Sequence, residues 1–145
     1  MCRGRGQEVY GEDPFLTAGL MIPFVQGMQG ANDTRVYQLS AACCKHYAAY
    51  DSENIPENRI LYNAIVNNRN MWESYLPVFE QCVKTAETAS IMCSYNLING
   101  VPTCGDPKLM NGILRDQWSF DGWVMSDYDA WAYLNNIATE FRVFD

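Results

Sequence analysis

Three clusters of polar side chains close short apolar runs in this 145-residue chain: Lys45-His46, Ser94-Tyr95-Asn96 and Asp127. A carboxylate flanked by cations can act as a nucleophile. It can attack an anomeric carbon to form a covalent glycosyl ester, and nearby cations keep it ionised in a partly dry site. Lys45 and Arg5 are the candidate cations and also candidate donors to sugar hydroxyls. Tyr95, Tyr128 and Trp123 offer flat apolar faces of the kind that pack on a pyranose ring. Taken singly, each residue also has a plainer role. Asp127 would cap the next helix, Lys45 would be a solvated strand-end charge, and His46 a satisfied core histidine. Tyr95 and Trp123 would be core aromatics.

The elements that would position these residues alternate between helices and short strands. Asp13-Pro14 starts a helix, because Asp caps free N–H groups and Pro suits the first helical position. Phe15, Leu16, Leu20 and Phe24 give this helix one apolar face, and Pro23 is predicted to kink or end it. Gly27 and Gly30 close the segment. Residues 40–44 read as a first strand ending in Lys45-His46. Residues 51–58 read as a loop carrying Pro56. Trp72, Tyr75, Leu76, Phe79 and Val83 recur at helical spacing, with Glu80 and Lys84 placed to pair on the other side. Pro77 lies near that helix's first turn or marks a bend. Residues 90–95 form a second strand, and Asn99-Gly100 is a turn signal. Asp106-Pro107 starts a helix with Leu109, Met110, Ile113 and Leu114 facing the core. Residues 123–125 form a third strand, ending at Ser126-Asp127. Apolar strands separated by helices imply parallel strands covered on both faces. In such folds ligands bind at the strands' C-terminal ends, so all three polar clusters are expected at one rim.

Composition narrows the classes of function. Hydrophobic residues make up 48% and charged residues 19%, so a packed core is expected rather than disorder. The net charge is −7, and the ten Lys and Arg form no basic stripe, which speaks against nucleic acid as a partner. No apolar run is long enough to cross a membrane, and no signal peptide is visible. The six cysteines form no C-x-x-C pair and His46 is the one histidine, so no metal site is expected. Cys43, Cys44 and Cys93 read as buried thiols, and whether Cys82 and Cys104 pair is left open. Asn32 heads a glycosylation sequon.

Five runs, in order, resemble glycoside hydrolase family 3. These are Gly4-Arg5-Gly6-Gln7-Glu8 with Gly11-Glu12-Asp13-Pro14, and Ala41-Ala42-Cys43-Cys44-Lys45-His46-Tyr47. The third is Glu73-Ser74-Tyr75-Leu76-Pro77-Val78-Phe79-Glu80. The fourth is Met92-Cys93-Ser94-Tyr95-Asn96 with Asn99-Gly100-Val101-Pro102-Thr103-Cys104, and the fifth is Gly122-Trp123-Val124-Met125-Ser126-Asp127. The resemblance implies an α/β fold class, an incomplete segment of a parallel (β/α)8 TIM-type barrel, since such a barrel needs eight strands and about 200 residues or more. Residues 1–130 would belong to the barrel, and 131–145 would be a divergent tail.

The resemblance also implies roles. Asp127 matches the catalytic nucleophile. Arg5, Lys45 and His46 match residues that bind hydroxyls of the non-reducing sugar, and Met92 and Tyr95 match residues lining the same subsite. The paired cysteines before Lys45-His46 are most like the branch of β-xylosidases and α-arabinofuranosidases. The implied activity is exo-acting, retaining hydrolysis of β-glycosides, with xylan-derived oligosaccharides as substrate and no cofactor. The family's acid/base glutamate has no counterpart here, and Pro23 and Asn70 fall where other residues are expected. Secretion is expected from the family, and an oligomeric state is not implied. The alternatives are a non-catalytic remnant that binds sugar or a partner chain, or an incomplete gene product.

Overall fold

The computed structural model of the chain describes residues 4–30, 37–54, 58–132 and 134. Cys2, the Asn32 sequon, Pro56 and nearly all of the expected tail lie outside those residues. Helix α1 (Pro14–Gln29) is followed by β1 (Cys43–Tyr47) and the short β2 (Asn63–Ala64). Helix α2 covers 68–84, and is π-wound over Met71–Tyr75. Then come β3 (Ser90–Cys93), β4 (Leu97–Ile98), β5 (Val101–Pro102), the π-wound helix α3 (Lys108–Gln117) and β6 (Trp123–Ser126).

The main sheet has the order β1-β3-β6, and both pairings are parallel. The crossovers between its strands carry α2 and α3, as parallel pairing requires. This is an arc of the expected α/β barrel. A second small sheet pairs β2 with β4 in parallel and β4 with β5 as a hairpin. Its turn is the predicted Asn99-Gly100, and both residues take positive φ. The Asn99 side chain clamps Val66 on both sides, accepting from its N–H and donating to its carbonyl.

The sheet buries one face. Cys44, Ile91 and Val124 pack with Leu76, Val83, Leu109, Ile113, Leu114, Trp118 and Phe120 in the central cluster. Full burial of a Leu or Ile side chain contributes about 1.5–3 kcal/mol. On the other face, Cys43, Met92, Trp123 and Met125 have no such cover, and Trp123 is 52% exposed. The expectation of strands covered on both faces therefore holds for one face of the described residues. At the start of β6, Gly122 runs so close to β3 that an added Cβ would meet the Ala89 carbonyl at 2.3 Å, so only glycine fits.

Several expectations for the local structure need correction. Asp13 does cap α1, accepting from Phe15 N–H, but the helix continues through Pro23 to a left-handed cap at Gly30. Pro23 lies on an exposed side of α1, where the carbonyl freed by its missing N–H can be solvated. The buried face is Ala18, Met21, Val25 and Gln29, packed on Cys82 and Ala86 of the α2 region. Phe15, Leu16, Leu20 and Phe24 point outward instead, with Phe15 87% exposed. Both helix faces are apolar, so periodicity alone could not choose between them. The first strand starts and ends three residues later than expected. Pro77 marks the change of winding in α2, where Leu76 N–H reaches back five residues to Met71. Glu80 and Lys84 pair at 2.7 Å as expected.

The cysteines also differ from expectation. Cys44 bonds to Cys82, and Cys93 bonds to Cys104. Cys44 and Cys93 are therefore not thiols, and Cys82 and Cys104 do not pair with each other. The packing of α2 on β1 brings together residues 38 apart in sequence, a contact that spacing does not reveal. Among the described residues Cys43 alone is free, half-buried against Met125 with a sulfur–sulfur distance of 3.3 Å.

Candidate active site

Parallel pairing brings the three strand ends together. Beyond β6, the Asp127 N–H donates to the Cys93 carbonyl at 3.0 Å, extending the ladder by one residue and fixing the aspartate's backbone. The two carboxylate oxygens then do different work. Oδ1 accepts from the N–H of the next residue, Tyr128, at 2.8 Å, and not from the turn at Ala130–Ala132 as a helix cap would. Oδ2 turns toward His46 near the end of β1, 3.2 Å from Nε2 but not aligned as a hydrogen bond. The His46 side chain is 2% exposed and that of Asp127 13%, so little water separates them. Tyr95, two residues past β3, is buried and lies close enough to Asp127 to feel its charge. Burial first, then the Asp127 charge, pushes its phenol above the ordinary tyrosine value.

A second layer surrounds this pair. The short 3₁₀ turn Gly6–Glu8 carries Glu8 to Lys45, with Nζ 2.9 Å from Oε2. The Lys45 hydrogen bond holds the Glu8 carboxyl below the usual glutamate range. Arg5 lies 3.5 Å from Glu8 and hydrogen-bonds Glu53, which holds its guanidinium above its ordinary value. For Glu53, burial opposes ionisation. The Arg5 hydrogen bond, Tyr50 and the two guanidiniums together outweigh it, so its carboxyl is also held low. Tyr50, just past β1, is buried with the Arg5 guanidinium 5.6 Å from its ring centre. Burial first, then the adjacent Glu53 carboxylate, pushes its phenol up to about 12.

The structure thus brings Arg5, Lys45, His46, Tyr95 and Asp127 to one rim. Met92 lies within β3 on the uncovered sheet face, level with Met125. Four residues join the rim that sequence reasoning did not assign to it: Glu8, Tyr50, Glu53 and Arg59. Glu8 had a weak signal in its spacing of three from Arg5. Arg59 had none, since only the loop path places it over Tyr95, 4.5 Å from the ring centre.

Two hollows lie away from the rim. One of about 500 Å³, lined by Lys84, Glu87, Thr88, Trp118 and Asp121 among others, is at the strands' opposite end. One of about 290 Å³ is lined by residues including Asp106, Arg115 and Trp131. Among the described residues no group of three or more His, Cys, Asp or Glu side chains could hold a metal ion. No helix among them is long and apolar enough to cross a membrane.

Fold and site together define a segment of a parallel α/β barrel with a carboxylate-centred polar rim at its strand ends. The sequence profile of the glycosyl hydrolase family 3 N-terminal domain matches residues 1–142, and the chain belongs to that family. It is 45% identical over 129 residues to beta-D-xylosidase 3 of Arabidopsis thaliana, covering 88% of this chain and 17% of that protein. It is 43% identical to beta-xylosidase/alpha-L-arabinofuranosidase 2 of Medicago sativa subsp. varia, with the same coverage. Among solved structures, a family 3 exo-beta-xylosidase (XlnD) in complex with a xylobiose aziridine activity-based probe superposes with a TM-score of 0.87 at 35% identity. That match covers 93% of this chain and 18% of the other. Beta-glucosidase 3B from Thermotoga neapolitana, in complex with glucose, superposes at 0.76 with 35% identity, over 88% of this chain and 16% of its own. The chain therefore spans about a sixth of the length of these relatives.

Proposed function

We propose that this chain carries the nucleophile side of a retaining exo-β-glycosidase site that takes β-xylosides. The observation that carries the reading is the Asp127 carboxylate, held at a strand end with Oδ2 facing His46 and with Tyr95 close by. The xylosidase relatives favour xylose over glucose as the sugar. Asp127 Oδ2 forms a bond to the anomeric carbon as the bond to the leaving oxygen breaks. A carboxylic acid from outside the described residues protonates that oxygen, then takes a proton from the water that hydrolyses the ester. His46, Lys45 and Arg5 donate to the sugar hydroxyls, and Met92 and Tyr95 line the subsite. No step requires a cofactor. Two disulfides favour an oxidising compartment, which agrees with secretion.

The test uses the purified chain and an activated 2-deoxy-2-fluoro-β-xyloside, read by intact mass and peptide mapping. The fluorine slows ester breakdown, and the activated leaving group needs little acid assistance. The expected result is one adduct, mapped to Asp127 and absent in Asp127→Asn. A folded chain that takes no label but still binds xylose would overturn catalysis in favour of sugar binding without turnover.

A further inference from the structure

Tyr95 and Tyr50 sit inside a closed ring of charges and aromatic faces. The Glu53 carboxylate holds the Arg5 guanidinium through one oxygen and lies 3.6 Å from the Arg59 guanidinium through the other. Arg5 lies over Tyr50, Tyr50 packs edge-on against Tyr95 at 6.0 Å, and Arg59 lies over Tyr95. Tyr50 also meets His46 edge-on at 5.2 Å. His46 and Tyr95, the two residues beside Asp127, are therefore braced by the same ring. A backbone bond from Arg59 N–H to the Glu53 carbonyl, 2.7 Å, ties the loop's two sides together.

We infer that Arg59, paired with Glu53, is a positioning residue that fixes the Tyr95 ring beside Asp127 and thereby aligns the nucleophile. The inference rests on the nucleophile reading of Asp127. Arg59 touches no reacting atom. It acts by fixing the ring plane of Tyr95 and by placing positive charge against the ring face, which strengthens the phenol as a donor. The planar guanidinium matters for the stack on Tyr95, so lysine is a poor substitute.

The test is a double-mutant cycle on the rate of covalent capture of the 2-fluoro-xyloside by the full chain. Arg59→Ala is expected to slow capture about tenfold at saturating reagent while leaving half-saturation within about twofold, the split of an effect on the bonding step. Arg59→Lys is expected to recover less than half of the loss on a logarithmic scale. In a Tyr95→Phe background, which keeps the ring and removes the hydroxyl, Arg59→Ala is expected to change capture less than twofold. A tenfold effect that persists in the Tyr95→Phe background would overturn the inference, because Arg59 would then act by another route. Capture unchanged in Arg59→Ala would also overturn it, with the nucleophile reading intact. If Arg59→Ala does not fold, the Lys variant in both backgrounds decides by the same criterion. A folded wild-type chain that takes no label would overturn the nucleophile reading and the role of Arg59 with it.

Discussion

Cys43 and Cys44 are neighbours in β1 with opposite surroundings. Cys44 turns to the covered face and is bonded to the Cys82 sulfur, inside a cluster shared with Val25, Ala42 and Ala86. Cys43 turns to the open face, beside Met125 and on the side of Trp123 and Met92. The difference follows from the two-residue period of a strand. It teaches that the covered face carries the stability of these residues. The open face and the rim above it carry groups whose spacing serves something other than packing.

If that division is right, the largest effect of any single change falls on chemistry and not on stability. Asp127→Asn should lower covalent capture by on the order of 10⁴-fold or more, with an unfolding midpoint close to that of the wild type. A large midpoint shift would break the division, by making Asp127 structural. On the covered face, Ile91→Ala should cost about 2–5 kcal/mol in denaturant unfolding, because Ile91 is fully buried and the cavity has no means to collapse. Removing the Cys44–Cys82 bridge with paired alanines should cost about 2–4 kcal/mol in the same assay. On the open face, Trp123→Ser should cost less than about 1 kcal/mol despite the loss of a whole indole. A cost near that of Ile91→Ala would show the open face to be packed in solution.

The smallest effect concerns pH. Glu8 holds its proton less tightly when folded than when unfolded, since Lys45 favours its charged form. Its contribution is therefore complete above the ordinary glutamate range and fades as the pH falls through the lowered folded value. The side chain is 43% exposed, so screening keeps the effect below about 0.5 kcal/mol. Glu8→Gln should remove that acid-side dependence, and 1 M salt should mask it in the wild type.

The rim was largely legible because strand ends are local. A short apolar run followed by Lys45-His46, or by Asp127, puts polar groups at a strand's C-terminal end whatever the rest does. The family resemblance then named the same residues. What was not legible depends on which helix meets which strand. The disulfide partners of Cys44 and Cys93 follow from crossover packing. The face of α1 turned on whether bulky Phe15 and Phe24 or smaller Ala18 and Val25 fit against α2, and close approach selected the smaller set. The stack of Arg59 on Tyr95 joins two loops, and no period links those positions.

The Gln29 side chain, at the last turn of α1, carries a consequence for the distant rim. Its Oε1 accepts from both Ala42 N–H and Ala89 N–H, while its Nε2 donates to the Glu87 carbonyl. One atom thus sets a common starting level for the chain entering β1 and the chain entering β3. His46 comes four residues after Ala42, and Cys93 four residues after Ala89. The two strands then run level, Cys43 with Ser90 and Cys44 with Ile91, until an extra residue in β1 brings Tyr47, one past His46, level with Cys93. The amide works as a benchmark from which two heights are set, so a one-residue insertion between Ala42 and Cys44, or between Ala89 and Ile91, would move His46 or Tyr95 relative to Asp127.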